Sequence, residues 1–321
     1  LIEWALARHR HGHSSQGFEQ RALGELLQRD ELDPLVRRHA LRRLRRPDVA
    51  NLPRIVVADL KHAHSRHFGS MPIHHALLKA QLDECLRRMP ELLNQTAFVQ
   101  IYMTKLHPNP DVNWRHDADA NRAYLDRLWE FVSRLDPAHN SLKAHVLYRR
   151  LVFDRSQGVY DRDRFVTYLK LPRHVPYIRA AYLDPIRAKH PRRIANLGAD
   201  FRQHTLLPPI RSDWPLVRSY LMHFFVEADA IKPFDTWIRE DRLKDVFAET
   251  KILHGLGDVE QWASDLSPAQ FQAIKERVDL QFAYTNAEQF GPDEPVALDV
   301  HVKNVRTLLV KVYKLNAFNY Y

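Results

Sequence analysis

Residues 296–321 read VALDVHVKNVRTLLVKVYKLNAFNYY, and the period of this stretch decides how the fold class divides along the chain. Val296, Leu298, Val300 and Val302 alternate with Ala297, Asp299, His301 and Lys303. Successive side chains of an extended strand point to opposite faces, so the alternation predicts one apolar and one wet face. A turn near Asn304 leads into TLLVKVYKL, which reads as a further strand, and another begins at Phe318. Upstream, VDLQFAY puts Val278, Leu280, Phe282 and Tyr284 on one side of an extended chain. Strands with a single apolar face need a covering layer. The remaining sequence offers none, so the expectation is an incomplete antiparallel β-sandwich at the end of a piece of a longer chain.

Before residue 278 the period is that of helices. Leu23, Leu26 and Leu27 form one apolar group, Leu35, Val36, Leu41 and Leu44 a second, and Ile55, Val56, Val57 and Leu60 a third. Spacings of three and four residues lay such groups on one helix face. The breaks fall at Pro34, Pro47 and Pro53, and a proline in a first turn loses no intrahelical hydrogen bond, so each can open the next helix. The stretch IHHALLKAQLDECLRRMPELL reads as one helix with Leu77, Leu78, Leu82 and Leu86 on a broad face. Further helices are expected in TAFVQIYMTKLH, NRAYLDRLWEFVSRL and HNSLKAHVLYRRLVF, and in YDRDRFVTYLKL behind an Asp161 cap. LPRHVPYIRAAYLDPIRAKHPRR, with its four prolines, reads as irregular connection with short helices. Helices return in DWPLVRSYLMHFFVEA and PFDTWIREDRLKDVFAETKIL, then in SPAQFQAIKERV, where Ser267 and Pro268 make a start signal. The class is therefore mainly α, built of helical hairpins. A solenoid-like array fits this succession, although no strict repeat period accompanies it.

Length and composition bound the function. The 321 residues, 45% hydrophobic and 27% charged, suit a folded protein of two domains or of one elongated array. Nothing matches a phosphate-cradling glycine loop or a dinucleotide fingerprint, so no cofactor is expected. No apolar run approaches the ~20 residues that span a membrane. The opening LIEWALARHRHGH has too short an apolar run for a signal peptide. The single Cys85 cannot form an internal disulfide, and in LDECLRRM it reads as a buried thiol. The net charge of +9 is concentrated before residue 240. Charge and period together place boundaries that give a helical array over 1–155, a second helical region with a Pro-rich connection over 156–277, and a truncated β domain over 278–321.

That tail resembles the macroglobulin-type β-sandwich domains of bacterial α2-macroglobulin-like proteins. The residues carrying the resemblance are Gly291, Pro292 and Asp293 in the loop, Val296, Leu298, Val300 and Val302 in the strand, then Asn304, Val310, Val312 and Tyr313. The helical segments LKAHVLYRRLVFDRSQGVYDRDRF and PFDTWIREDRLKDVFAETKIL look like those of large bacterial envelope proteins that carry such domains. The family's thioester motif, Gly-Cys-Gly-Glu-Gln, is absent, and Cys85 stands in an unrelated context. The resemblance thus implies a non-catalytic structural part of an envelope or secreted protein, whose partners are proteins or other domains of the same chain.

Three groups could carry chemistry. KHAHSRHFGSMPIHH holds His62, His64, His67, His74 and His75. Neutral imidazoles ligate zinc, copper or nickel, so His62, His64 and His67 are candidate metal ligands, and with a carboxylate such as Asp59 they would make a metal-dependent hydrolase. Surface histidines beside a loop are the plainer reading, as is a frayed terminus for His9, His11 and His13. In LVRRHALRRLRR, the side chains of Arg37, Arg38, Arg42, Arg43, Arg45 and Arg46 are candidate anion ligands. A solvated helix face is the plainer reading of them, and little aromatic interleaving argues against nucleic acid. His116, Asp117, Asp119 and Asp126 could supply a general base, yet Asp117 or Asp119 fits better as a helix cap. The tryptophans Trp129, Trp214, Trp237 and Trp262 stand in helical contexts as packing residues. With no convincing catalytic constellation, a non-enzymatic, protein-binding role leads and the hydrolase is its rival.

Overall fold

The computed structural model describes residues 15–29, 31–63, 65 and 67–314. Among these are 15 α-helices and two short strands, so the protein is mainly α. In chain order the first eight helices are α1 Ser15–Leu27, α2 Pro34–Arg43, α3 Leu52–Leu60, α4 Pro72–Ala76, α5 Lys79–Arg88, α6 Thr96–Thr104, α7 Ala118–Val132 and α8 Asn140–Ser156. The remainder are α9 Arg162–Leu169, α10 Ala180–Lys189, α11 Arg202–Thr205, α12 Trp214–Glu227, α13 Glu240–Leu253, α14 Val259–Ser264 and α15 Pro268–Glu276. The strands are β1 Asp279–Phe282 and β2 Val300–Lys303. The chain forms two compact units, one of Leu1–Arg150 with His190–Arg211 and the other of Leu151–Lys189 with Ser212–Tyr321.

In the first unit, local chemistry starts α2 and α3 where expected. Asp33 accepts hydrogen bonds from the amides of Leu35 (2.8 Å) and Val36 (3.1 Å), while Pro34 occupies the first helical turn of α2. Pro53 likewise sits in the first turn of α3. Pro47 opens no helix; its carbonyl accepts from Gln81 Nε2 at 2.7 Å instead. The single helix expected over residues 73–93 is broken at Leu77–Leu78. Gln81 Oε1 takes the Leu78 amide at 3.0 Å, and Leu78 is held extended (ψ 158°), so a new helix begins at Lys79. Leu78 consequently turns outward, whereas Leu77, Leu82 and Leu86 are buried. The core beneath is aromatic: Phe68 meets Phe98 edge-on at 5.0 Å, and Tyr102 stacks on Phe131 at 4.0 Å.

The second unit is built on the same rules. Asp161 caps α9 through the Arg164 amide at 2.9 Å, and Ser267 caps α15 through Gln270 at 3.2 Å, with Pro268 at the first position. α10 lies within the Pro-rich stretch and carries Pro185 inside it. Phe165, Tyr220, Phe225 and Phe234 fill the interior, each fully buried. Each such ring withdraws enough apolar surface from water to contribute about 2 kcal/mol or more.

β1 and β2 pair antiparallel with Leu280 opposite Val302 and Phe282 opposite Val300. This register puts the four apolar side chains on one face, as the alternation predicts. Asn304 turns the chain with φ +55° and donates to the carbonyls of Lys275 (2.8 Å) and Arg277 (2.9 Å). Leu280, Phe282 and Val302 are exposed. The strand expected in TLLVKVYKL does not form, since residues 307–314 carry no ladder. Phe318 lies outside the described residues.

Candidate functional site

After α3 the chain turns through the histidine-rich segment. The His62 carbonyl accepts the Ser65 amide at 2.8 Å, and the His62 side chain is half-buried. His64 lies outside the described residues, and His67 and His75 are exposed. His74 goes inward: its ring stacks on Phe68 with centroids 4.5 Å apart, and its Nδ1 accepts the Gly69 amide at 2.9 Å. Burial, reinforced by His75 and His67, lowers its pKa to about 4, so it serves the core as a neutral ring. Gly69 is needed for this turn; its φ is +87°, and a Cβ there would lie 2.9 Å from that of Ala97. Asp59, the carboxylate a metal-dependent hydrolase would have called on, is buried at 3.3 Å from Arg38 Nε. Among the described residues no group of three or more His, Cys, Asp or Glu is placed to hold a metal.

The other candidates carry structure. Asp117 caps α7 by accepting the Ala120 amide at 2.9 Å, Asp126 pairs with Arg150 at 2.7 Å, and Asp119 stands 3.6 Å from Arg122. His116 is exposed. Cys85 is fully buried, and burial pushes its thiol up to about 12, which suppresses the nucleophilic thiolate.

The arginine-rich stretch divides by depth. Arg38 is buried against Asp59, and half-buried Arg37 donates to the Leu32 carbonyl at 3.2 Å. Arg43 pairs with Glu19 at 2.6 Å, and Arg46 pairs with Asp48, both side chains about half exposed. Arg45 donates through Nη1 to the Arg42 carbonyl at 2.9 Å, and among the described residues neither Arg42 nor Arg45 has a carboxylate partner. Gln20 ties this segment to α1, accepting the Arg45 amide at 2.7 Å and donating to the Arg43 carbonyl at 3.1 Å. Between them lies a cleft of about 510 Å³ lined by Gly17, Glu19, Gln20, Arg43, Arg45 and Arg46.

One polar cluster in the second unit escaped the sequence reading. Arg173, with no exposed surface, donates from Nε to Asp213 Oδ2 at 2.9 Å, and Tyr168 and Tyr177 donate to the same oxygen at 2.8 and 2.5 Å. Arg173 Nη1 also donates to the carbonyls of Tyr168 and Leu171, both at 2.9 Å. Burial pushes the Tyr168 and Tyr177 phenols well above their usual range. Every group here is turned on another group of the cluster, so the arrangement holds the unit together and presents nothing to a substrate. Arg173 and Asp213 are 40 residues apart, and no spacing rule links them. Asp213 stands immediately before Trp214 at the start of α12, a position that the sequence alone would assign to helix capping.

The family profile described as the Actin-binding protein F N-terminal domain matches residues 1–278. The chain belongs to this family. Actin-binding protein F of Dictyostelium discoideum is 29% identical over 272 residues, which cover 84% of this chain and 11% of that protein. The chain therefore spans about a tenth of the length of the relative it matches. No solved structure matches it.

Membership of the Actin-binding protein F N-terminal domain family overturns the α2-macroglobulin resemblance, and the bacterial, cell-envelope reading falls with it. The helical segments offered for that resemblance, residues 142–165 and 233–253, lie inside the matched region. The alternation that suggested it arises in any ribbon with one apolar face, and a Gly-Pro pair is common in loops of unrelated proteins, so neither identifies a family. The metal-dependent hydrolase is overturned as well: the family is named for binding, Asp59 is paired with Arg38 in the core, and the described residues, which do not include His64, hold no metal cluster. No helix among the described residues is long and apolar enough to cross a membrane.

Proposed function

We propose that this chain is a non-enzymatic actin-binding module. The observation that carries the reading is the family match over residues 1–278, supported by the relative named for binding actin. The fate of the candidate catalytic residues agrees with it. Asp117 caps a helix, Asp126 and Asp59 are paired with arginines, and Cys85 is a buried thiol. A binding module needs a stable scaffold and an exposed face, and groups spent on capping and core packing serve the first of these.

The test is sedimentation of the 321-residue chain with actin filaments, together with a native-gel shift against monomeric actin. Saturable binding to either form is expected. A chain that stays in the supernatant at every filament concentration, and leaves the monomer's mobility unchanged, overturns the reading.

A further inference from the structure

The two units differ sharply in charge. The first holds 28 Lys and Arg against 18 Asp and Glu, a net +10, whereas the second holds 20 against 21, a net −1. The whole excess of positive charge therefore belongs to the first unit. Within it, the last turn of α2 and the segment that follows concentrate Arg42, Arg43, Arg45 and Arg46 within five residues. Arg42, Arg45 and Arg46 are exposed, and the carboxylates nearby neutralise only part of this set. The Arg46–Asp48 pair is about half exposed on both sides, where water already screens it and a competing anion can displace it.

The other end of the same helix is apolar. Leu35, His39 and Arg42 follow a spacing of four and three residues, which aligns them along one stripe of α2, and all three are exposed. Leu35 is 63% exposed, and Val36 beside it is also exposed. An apolar patch next to a cluster of planar guanidinium groups suits a protein surface, which offers both hydrocarbon and bidentate carboxylates. Stacking of nucleic-acid bases is strongest on the large rings of Phe, Tyr and Trp, and α2 holds none of these, His39 being its single ring. Arg38 and Arg37 fall outside this face, the first because it is committed to Asp59 in the interior and the second because it is turned to the Leu32 carbonyl.

We propose that the exposed face made by Leu35, Val36 and Arg42 on α2, continued by Arg45 and Arg46 along the cleft to α1, is the surface that receives an acidic region of the protein partner. This rests on the actin-binding reading above and says which face of the chain carries it. The arginines draw the partner in and orient it, an effect that extends about 8 Å at physiological ionic strength, and Leu35 and Val36 are covered on contact.

The experiment titrates actin with the unaltered chain, with the charge-reversed R42E/R45E/R46E variant, and with K170E/K189E, which reverses two exposed lysines of the second unit. Each titration runs at low and at moderate salt. The triple variant is expected to bind at least about tenfold more weakly at low salt and to lose most of the salt dependence, while K170E/K189E binds as the unaltered chain does. All substituted side chains are exposed, so unchanged circular dichroism and melting of each variant separate lost binding from lost folding. Equal weakening by both variants, or undiminished binding by the triple variant, overturns the proposed face while leaving the actin-binding reading intact. Absence of binding by the unaltered chain overturns both. Arginine-dependent retention on heparin or duplex DNA, with actin binding unaffected by R42E/R45E/R46E, assigns the face to a polyanion and likewise overturns the proposal.

Discussion

Asp213→Asn changes one buried oxygen and very little volume, so its cost measures what the Arg173 cluster contributes. In the native unit, Asp213 Oδ2 accepts from Arg173 Nε, Tyr168 and Tyr177 at 2.9, 2.8 and 2.5 Å, and Arg173 has no exposure to water. The amide leaves the guanidinium buried without its counter-charge and offers the two phenols one acceptor atom in place of a carboxylate. Removing one partner of a buried, hydrogen-bonded charge pair costs about 3–5 kcal/mol. With a urea m-value of about 2 kcal/mol per M, the midpoint of the second unit's transition falls by about 1.5–2.5 M. Trp214, whose ring lies 5.0 Å from that of Tyr177, gives a fluorescence signal at the site itself. The double variant R173M/D213L removes both charges, and because well-packed apolar side chains can replace a buried pair, it is expected to recover at least half of the loss. A shift below about 1 kcal/mol for D213N, or a double variant as unstable as the two single losses added together, refutes the claim that this pair holds the unit together.

Acid should weaken the first unit in a defined window. His74 has a folded pKa of about 4 against an ordinary 6.5, lowered chiefly by burial. The unfolded chain therefore takes up its proton first, and stability is full above pH 6.5 and declines as pH falls toward 4, by on the order of 3 kcal/mol. His145, also lowered to about 4 by burial, steepens the same slope. Urea denaturation at intervals across that window measures the decline, and His74→Asn, which keeps an acceptor for the Gly69 amide, should flatten it; a flat profile in the unaltered chain contradicts the buried neutral imidazole. The break in the helix at Leu77–Leu78 gives a paired test. Leu82→Ala should cost about 2–5 kcal/mol because Leu82 is fully buried, and Leu78→Lys should move stability by less than about 0.5 kcal/mol because Leu78 faces solvent. Comparable losses at the two positions, measured by thermal melting, would restore a single continuous helix.

Features written in neighbouring residues were legible. Pro34, Asp161, and Ser267 with Pro268 start helices because a proline in the first turn loses no hydrogen bond and a cap needs only the amides two or three positions on. The alternation in residues 278–284 and 296–303 marked the apolar face of the ribbon, whose strands cover only 279–282 and 300–303, and Asn304 marked the turn after the second strand, for the same reason. The break before Lys79 was missed because a run of apolar residues at helical spacing hides a glutamine that folds back on the amide of Leu78. His74 was misread with its neighbours: composition grouped five histidines, and only packing against Phe68 separates buried His74 from exposed His67 and His75. Asp59 and Arg38, and Asp213 and Arg173, find each other across loops that no local rule connects. The family was out of reach for a related reason. A ribbon with one apolar face is a physical requirement shared by many unrelated sheets, and the caps and apolar faces of the helices are shared by many unrelated helical proteins.

The most direct test of the account is an equilibrium titration of the dye-labelled 321-residue chain with actin, as filament and as monomer, followed by fluorescence anisotropy. The account predicts a saturable rise with at least one form that excess unlabelled chain reverses. An anisotropy that stays at its starting value across both titrations would contradict it.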